Sequence, residues 1–156
     1  MTKAYSYYRI LLSALILLIG GCEIIGPDRS ENDDLADARV EWANYQDGTY
    51  SYLLNRGCFC IVAGPHFVQV VDSQVVSAIS THSNEVVRHE DLQYIETVED
   101  VFDMIEDALE TADKIDVEYS EFGYPTSVDI DWIKQAVDDE MFITISEVQL
   151  GITPID

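Results

Sequence analysis

The chain has 156 residues, with 30 Asp and Glu against 8 Lys and Arg, and a net charge of −22 at pH 7. That length suits one domain, and an apolar content of 47% is enough for a packed core. The charge excludes a nucleic-acid partner, which needs a basic footprint, and argues against electrostatic docking on anionic lipid.

Met1 to Arg9 carries Lys3 and Arg9 and no acid, and Ile10 to Ile19 is almost wholly Leu, Ile and Ala. A basic start, a short apolar run and two glycines describe an export signal. The apolar run falls short of the roughly 20 residues that a membrane span needs. Ile19-Gly20-Gly21-Cys22 then resembles the lipobox of bacterial lipoproteins. The resemblance implies cleavage before Cys22 and a diacylglyceryl thioether on its sulfur. The domain is then held by lipid at the cell envelope, outside the cytoplasm. A plain signal peptide and an uncleaved anchor are the alternatives. Glu23 is not the Asp that retains such lipoproteins at an inner membrane, so the implied site in a Gram-negative cell is the outer membrane or periplasm. The chain thus divides into a signal peptide (1–21), a lipidated cysteine with a tether (22–32) and a single domain (33–156).

The domain opens with a helix over Asp33 to Tyr45, where Leu35, Ala38, Trp42 and Tyr45 recur at helical spacing. Asn32 or Asp33 caps it, and Asp47-Gly48 ends it. Period-two runs follow over Thr49 to Arg56, His66 to Val71 and Gln74 to Ser80, the last two forming a hairpin about Asp72-Ser73. Thr81 to Glu96 is polar and aperiodic. It is expected to be a long connection with one turn of helix or an edge strand. A second helix covers Thr97 to Ala112. Val98, Val101, Phe102, Ile105, Ala108, Leu109 and Ala112 make its apolar stripe, and Thr97 with Asp100 makes a capping box. Strands follow over Ile115 to Tyr119, Val128 to Trp132 and Met141 to Val148, with a turn at Phe122-Gly123-Tyr124-Pro125 and a connector from Ile133 to Glu140.

The order α-β-β-β-α-β-β-β describes an α+β domain, with two helices packed on one side of antiparallel strands. It also invites a division into two α-β-β-β units. Trp42, Tyr52, Cys58-Phe59-Cys60, Thr97-Val98-Glu99-Asp100-Val101-Phe102, Val117, Tyr119, Gly123-Tyr124-Pro125, Ile130-Asp131 and Asp138-Asp139-Glu140 together resemble the DUF6174 family of bacterial lipoproteins and secreted proteins, over about residues 38–148. The function of that family is unknown, so the resemblance implies an address and a single domain, and no catalytic residue.

Cys58 and Cys60 are the first chemical candidates. On a regular strand their Cα atoms would stand about 6.5–7 Å apart, at the upper edge of disulfide geometry. A turn or bulge at Gly57 would bring them together. A structural disulfide is the expectation, in keeping with an oxidising compartment. A reducible redox pair and free or metal-holding thiols are the alternatives. Against the redox reading, no base except Arg56 lies nearby in sequence to lower a thiol pKa.

Asp129, Asp131 and Glu140 fall at places one, three and twelve of a twelve-residue window, as in a calcium loop. Ile133 at place five and Lys134 at place six, where the turn needs Gly, exclude an EF-hand. A calcium site of another kind keeps these three as candidates, with Asp138 and Asp139 beside Glu140; a wet strand face is the simpler account of Asp129 and Asp131. His66, His82 and His89 show no ligand spacing. There is no Gly-rich phosphate loop and no G-x-S-x-G elbow. Tyr124 is either a turn-exposed contact or a packing residue. The expectation is a lipid-anchored envelope protein without an enzymatic role or cofactor. It would act as a binding or accessory module toward the membrane and an envelope protein. A thiol–disulfide protein using Cys58 and Cys60 and a calcium-binding acidic domain are the alternatives.

Overall fold

The computed structural model describes residues 30–136 and 138–151. The stretch expected to be an export signal, the lipobox-like Ile19-Gly20-Gly21-Cys22 and the lipidation expected at Cys22 lie outside them. The elements are α1 (Glu31–Tyr45), β1 (Tyr50–Gly57), β2 (Gly64–Val71), β3 (Gln74–Ser80), a 3₁₀ turn (His89–Tyr94), α2 (Val98–Thr111), β4 (Lys114–Tyr119), β5 (Pro125–Asp131) and β6 (Glu140–Leu150). The class is α+β. The six strands form one antiparallel sheet in the order β3-β2-β1-β6-β5-β4.

This corrects the division into two three-strand units. A three-stranded meander leaves its outer strands with unpaired backbone groups. Here β1 and β6 pair with each other, from Gly57 opposite Phe142 to Tyr50 opposite Leu150. The two meanders become one sheet with a continuous apolar face for both helices.

That face follows from period-two alternation. Tyr50, Tyr52 and Leu54 of β1, Val68 and Val70 of β2, Val128 and Ile130 of β5, and Ile143 and Ile145 of β6 are all buried. Against them α2 buries Val98, Val101, Phe102, Ile105 and Ala108. Each such side chain contributes roughly 1.5–3 kcal/mol, with Ala less. The Thr97 hydroxyl accepts from the Asp100 N–H at 3.1 Å, and the Thr97 N–H donates to the Asp100 carboxylate at 2.8 Å, completing the capping box.

The first helix starts two residues before Asp33. Ser30 is its cap, accepting from the Asp33 N–H at 3.2 Å, and Glu31 and Asn32 are helical. It buries only Leu35, Ala38 and Trp42. The 81–96 stretch is more ordered than its polarity implies. It folds back on the sheet edge, where Val86 bridges Ile79, and then forms the 3₁₀ turn. Asp72 and Ser73 both adopt positive φ, 50° and 60°, so the β2–β3 link is a tight hairpin turn.

Candidate functional site

At one end of the sheet β1 finishes in Gly57. Its cross-strand partner is Phe142, whose ring occupies the space a Cβ would need. The chain then leaves the sheet as Cys58-Phe59-Cys60-Ile61-Val62-Ala63 and re-enters at Gly64, where φ is +88°. Outside the strand, Cys58 and Cys60 close to disulfide distance, with Cα atoms 5.3 Å apart. That lies well inside the range a disulfide tolerates, because the strand pleat no longer sets the spacing. Between them the Phe59 side chain is 96% exposed.

Arg56 supports the loop from below. It takes an inward position in the Tyr52, Leu54, Arg56 alternation and is buried. Its Nε and Nη2 donate to the Val62 carbonyl at 3.1 and 2.7 Å, and its Nη1 donates to Glu96 Oε1. Glu96 directly precedes the cap of α2, and its carbonyl accepts the Tyr52 hydroxyl. Burial pushes the Glu96 carboxyl above its ordinary range, while the Arg56 charge pulls the other way.

One turn further on, Glu99 gathers three donors. These are Tyr50 O–H at 2.7 Å, Trp42 Nε1–H at 2.8 Å and Gln46 Nε2–H at 3.1 Å. Tyr50 in turn accepts from the Val98 N–H at 3.1 Å. Burial, chiefly, holds the Tyr50 and Tyr52 phenols well above their usual value, with neighbouring carboxylates adding to it. Both remain protonated donors. These bonds fasten the start of α2 to β1 and to α1.

Two shallow hollows flank the loop and share Ile61. One, of about 440 Å³, is lined by Arg56, Cys60, Tyr94 and Glu96 among others. The other, of about 690 Å³, lies toward His66, Val86 and Arg88.

The other residues singled out by sequence do not join this end as a site. Asp131 and Glu140 are cross-strand partners, and Asp129 stands opposite Phe142 on one side and Asp116 on the other. They share the outer sheet face. Among the described residues no group of three or more His, Cys, Asp or Glu side chains is placed to hold a metal ion; the alternative calcium candidates Asp129, Asp131 and Glu140 are not brought together as one, and Asp129 is exposed on its strand. Asp139 accepts the Ile133 N–H at 2.6 Å and so orders the β5–β6 connector. His66 places Nδ1 3.1 Å from the Gly64 carbonyl, while His82 and His89 sit in the turn after β3 and at the head of the 3₁₀ turn. Tyr124 packs edge-on to Trp42 at 5.9 Å and is half-buried, a packing residue. Sequence reasoning missed Glu96 and Glu99. The available signal was Arg56 itself, a cation at an inward strand position, which demands a buried anion.

The model of a family of unknown function, DUF6174, matches residues 34–150. The chain belongs to the DUF6174 family. No curated protein and no solved structure matches it. In this DUF6174 domain the match spans most of α1, all of α2, the six described strands and the Cys58–Cys60 loop. Among its described residues no helix is long and apolar enough to cross a membrane.

Proposed function

We propose that this DUF6174 protein is a non-catalytic binding module, held by lipid on Cys22 at the cell envelope, that presents the Cys58-Phe59-Cys60 loop to an envelope protein. Phe59 carries this reading. An aromatic ring 96% exposed gains nothing for the fold, and ordered, exposed aromatics are the anchors around which interfaces form. The loop beneath it is preorganised by Arg56 and by the cysteine pair, which lowers the entropy a partner must offset. Most polar groups below are engaged with one another: Arg56 with Glu96 Oε1, and Glu99 with Tyr50, Trp42 and Gln46, while the buried Glu96 Oε2 has no hydrogen-bond partner among the described residues. The anchor is supported by the lipobox at Ile19-Gly20-Gly21-Cys22.

Protein purified from detergent-solubilised membranes tests both parts. Intact mass should show a chain beginning at Cys22 with an acyl mass. A retained Met1 or an unacylated Cys22 would overturn the anchor. Cross-linking in intact cells should yield an adduct that Phe59→Ser abolishes without a change in melting temperature. An adduct that survives Phe59→Ser, or no adduct at all, removes the loop's role.

A further inference from the structure

The opposite edge of the molecule carries a second surface. β4 is the last strand of the sheet and pairs only with β5 among the described residues. The five consecutive residues Ile115 to Tyr119 all line one groove of about 310 Å³, which also meets the first turn of α1. Successive strand side chains point to opposite faces. A hollow that touches five in a row therefore meets both faces of β4, reaching Ser127 and Asp129 of β5 on one face and α2 on the other, and so includes the strand edge, where an edge strand's unpaired N–H and C=O groups project. The chain treats its other edge differently. There the segment after β3 folds back, with Ser80 N–H donating to Glu85 at 3.0 Å and Val87 N–H donating to Ala78 at 2.9 Å.

The groove has two chemical zones. Its floor is apolar, made by the half-buried Leu109 of α2, Ile115 and Val117 over the fully buried Ile105. Its rim carries Glu31, Asp116, Glu118 and Asp129. Lys114, the base on β4, is exposed and paired with Asp116. Arg39, the nearest base on α1, is committed to Asp103 and Glu106 at 3.0 and 2.9 Å. The rim is therefore anionic over an apolar floor, beside an edge strand whose outer side has no strand partner among the described residues.

We propose that the β4 edge is a strand-addition site for an extended peptide alternating basic and apolar residues. The backbone of such a peptide would continue the sheet, its apolar side chains would meet the floor, and its Lys or Arg side chains would face the carboxylates. A second copy of the chain is the poorer occupant. Antiparallel pairing of β4 with itself sets Asp116 and Glu118 against the same acids, and like charges across a strand pair are destabilising. The site is separate from the Phe59 loop and stands without it.

The test titrates the protein purified from membranes, in non-ionic detergent at low ionic strength, with a capped peptide alternating Lys and Val. Saturable one-to-one binding is expected, with slowed hydrogen exchange at β4 amides. Glu118→Lys/Asp129→Lys should weaken it by about tenfold or more. Glu85→Lys/Glu121→Lys, with the same charge change elsewhere, and Phe59→Ser should bind as the native chain does. The same peptide N-methylated on alternate backbone nitrogens should lose affinity, because it cannot complete a ladder. Absence of binding overturns the proposal. So does equal binding of the methylated peptide, which marks charge attraction alone, or exchange protection confined to residues outside β4. Sedimentation that shows the peptide-free chain pairing through β4 assigns the edge to a second copy and overturns it too.

Discussion

Arg56 and Glu96, forty residues apart in the chain, close an ion pair beneath the Cys58–Cys60 loop with side chains only 7% and 15% exposed. The pair joins three pieces of structure, since Arg56 also holds Val62 and the Glu96 carbonyl holds Tyr52. Truncating one member leaves a buried charge alone, which costs about 3–5 kcal/mol. Arg56→Ala should lose stability on that scale in urea unfolding at neutral pH. Arg56→Met/Glu96→Leu, which removes both charges, should lose clearly less. Equal losses from the single and double variants would show that the pair matters only as packing.

The same pair makes a pH prediction. Burial, the larger influence, lifts the Glu96 carboxyl above its ordinary value of 4.5, and Arg56 opposes it without prevailing. The folded chain then holds that proton more tightly than the unfolded chain. Its contribution to stability is complete below 4.5 and is lost as pH rises through the raised value. The melting temperature of the native chain minus that of Glu96→Gln should fall as pH climbs above 4.5 and then level off. The Arg56 charge, present throughout, adds only a constant offset. A difference that grows with pH would reverse the assignment.

Gly123 touches α1 directly. Its φ is +90°, and a Cβ there would run into the Ala38 carbonyl and the Trp42 N–H. A left-handed conformation costs a non-glycine residue about 1–2 kcal/mol, and the collision with helix backbone adds to it. Gly123→Ala should therefore destabilise by on the order of 3 kcal/mol. Thermal unfolding measures it, and a loss below about 1 kcal/mol would show that α1 can move aside.

Legibility in the sequence followed range. Local signals were readable: the α2 stripe, the Thr97–Asp100 box and the period-two runs all depend on neighbours within four residues. The cap at Ser30 was missed because Ser30, Asn32 and Asp33 all suit the role, and only the chain's path selects one. The pairing of β1 with β6 was not readable, since nothing local in Leu54 names Ile145 as its partner. The Arg56–Glu96 pair and the hold of Glu99 on Trp42 share that long range. The place of β4 at the sheet edge among the described residues is a property of sheet order, which the strand pattern leaves open.

Phe102 sits under both layers. It is 2% exposed, lies against Tyr119 with ring centres 6.4 Å apart, and has the Arg39 guanidinium 5.4 Å from its centroid. Its neighbour Tyr119 is itself half-buried, and that burial pushes the phenol up to about 12. Phe102→Asp places a carboxylate in this apolar site and should cost more than about 4 kcal/mol, enough to unfold a domain of ordinary stability. Loss of far-UV helical signal at room temperature is the expected reading. A folded variant with a small melting shift would mean that Arg39 reaches the new acid.

The cysteine pair separates a scaffold role from a redox one. A reactive thiol needs a nearby cation to hold its thiolate, and the cation here, Arg56, is engaged by Glu96 and by the Val62 carbonyl. The reduced form thus gains little stabilisation. The potential of the Cys58–Cys60 couple should lie below about −300 mV, the range of structural bridges. Glutathione equilibration followed by mass spectrometry of alkylated thiols measures it. Glu96→Gln leaves the Arg56 charge without its counter-ion, so it should raise the potential toward more oxidising values, whereas Phe59→Ser should leave it unchanged. A native couple well above −300 mV that ignores Glu96→Gln would favour a thiol–disulfide protein whose chemistry does not depend on this ion pair.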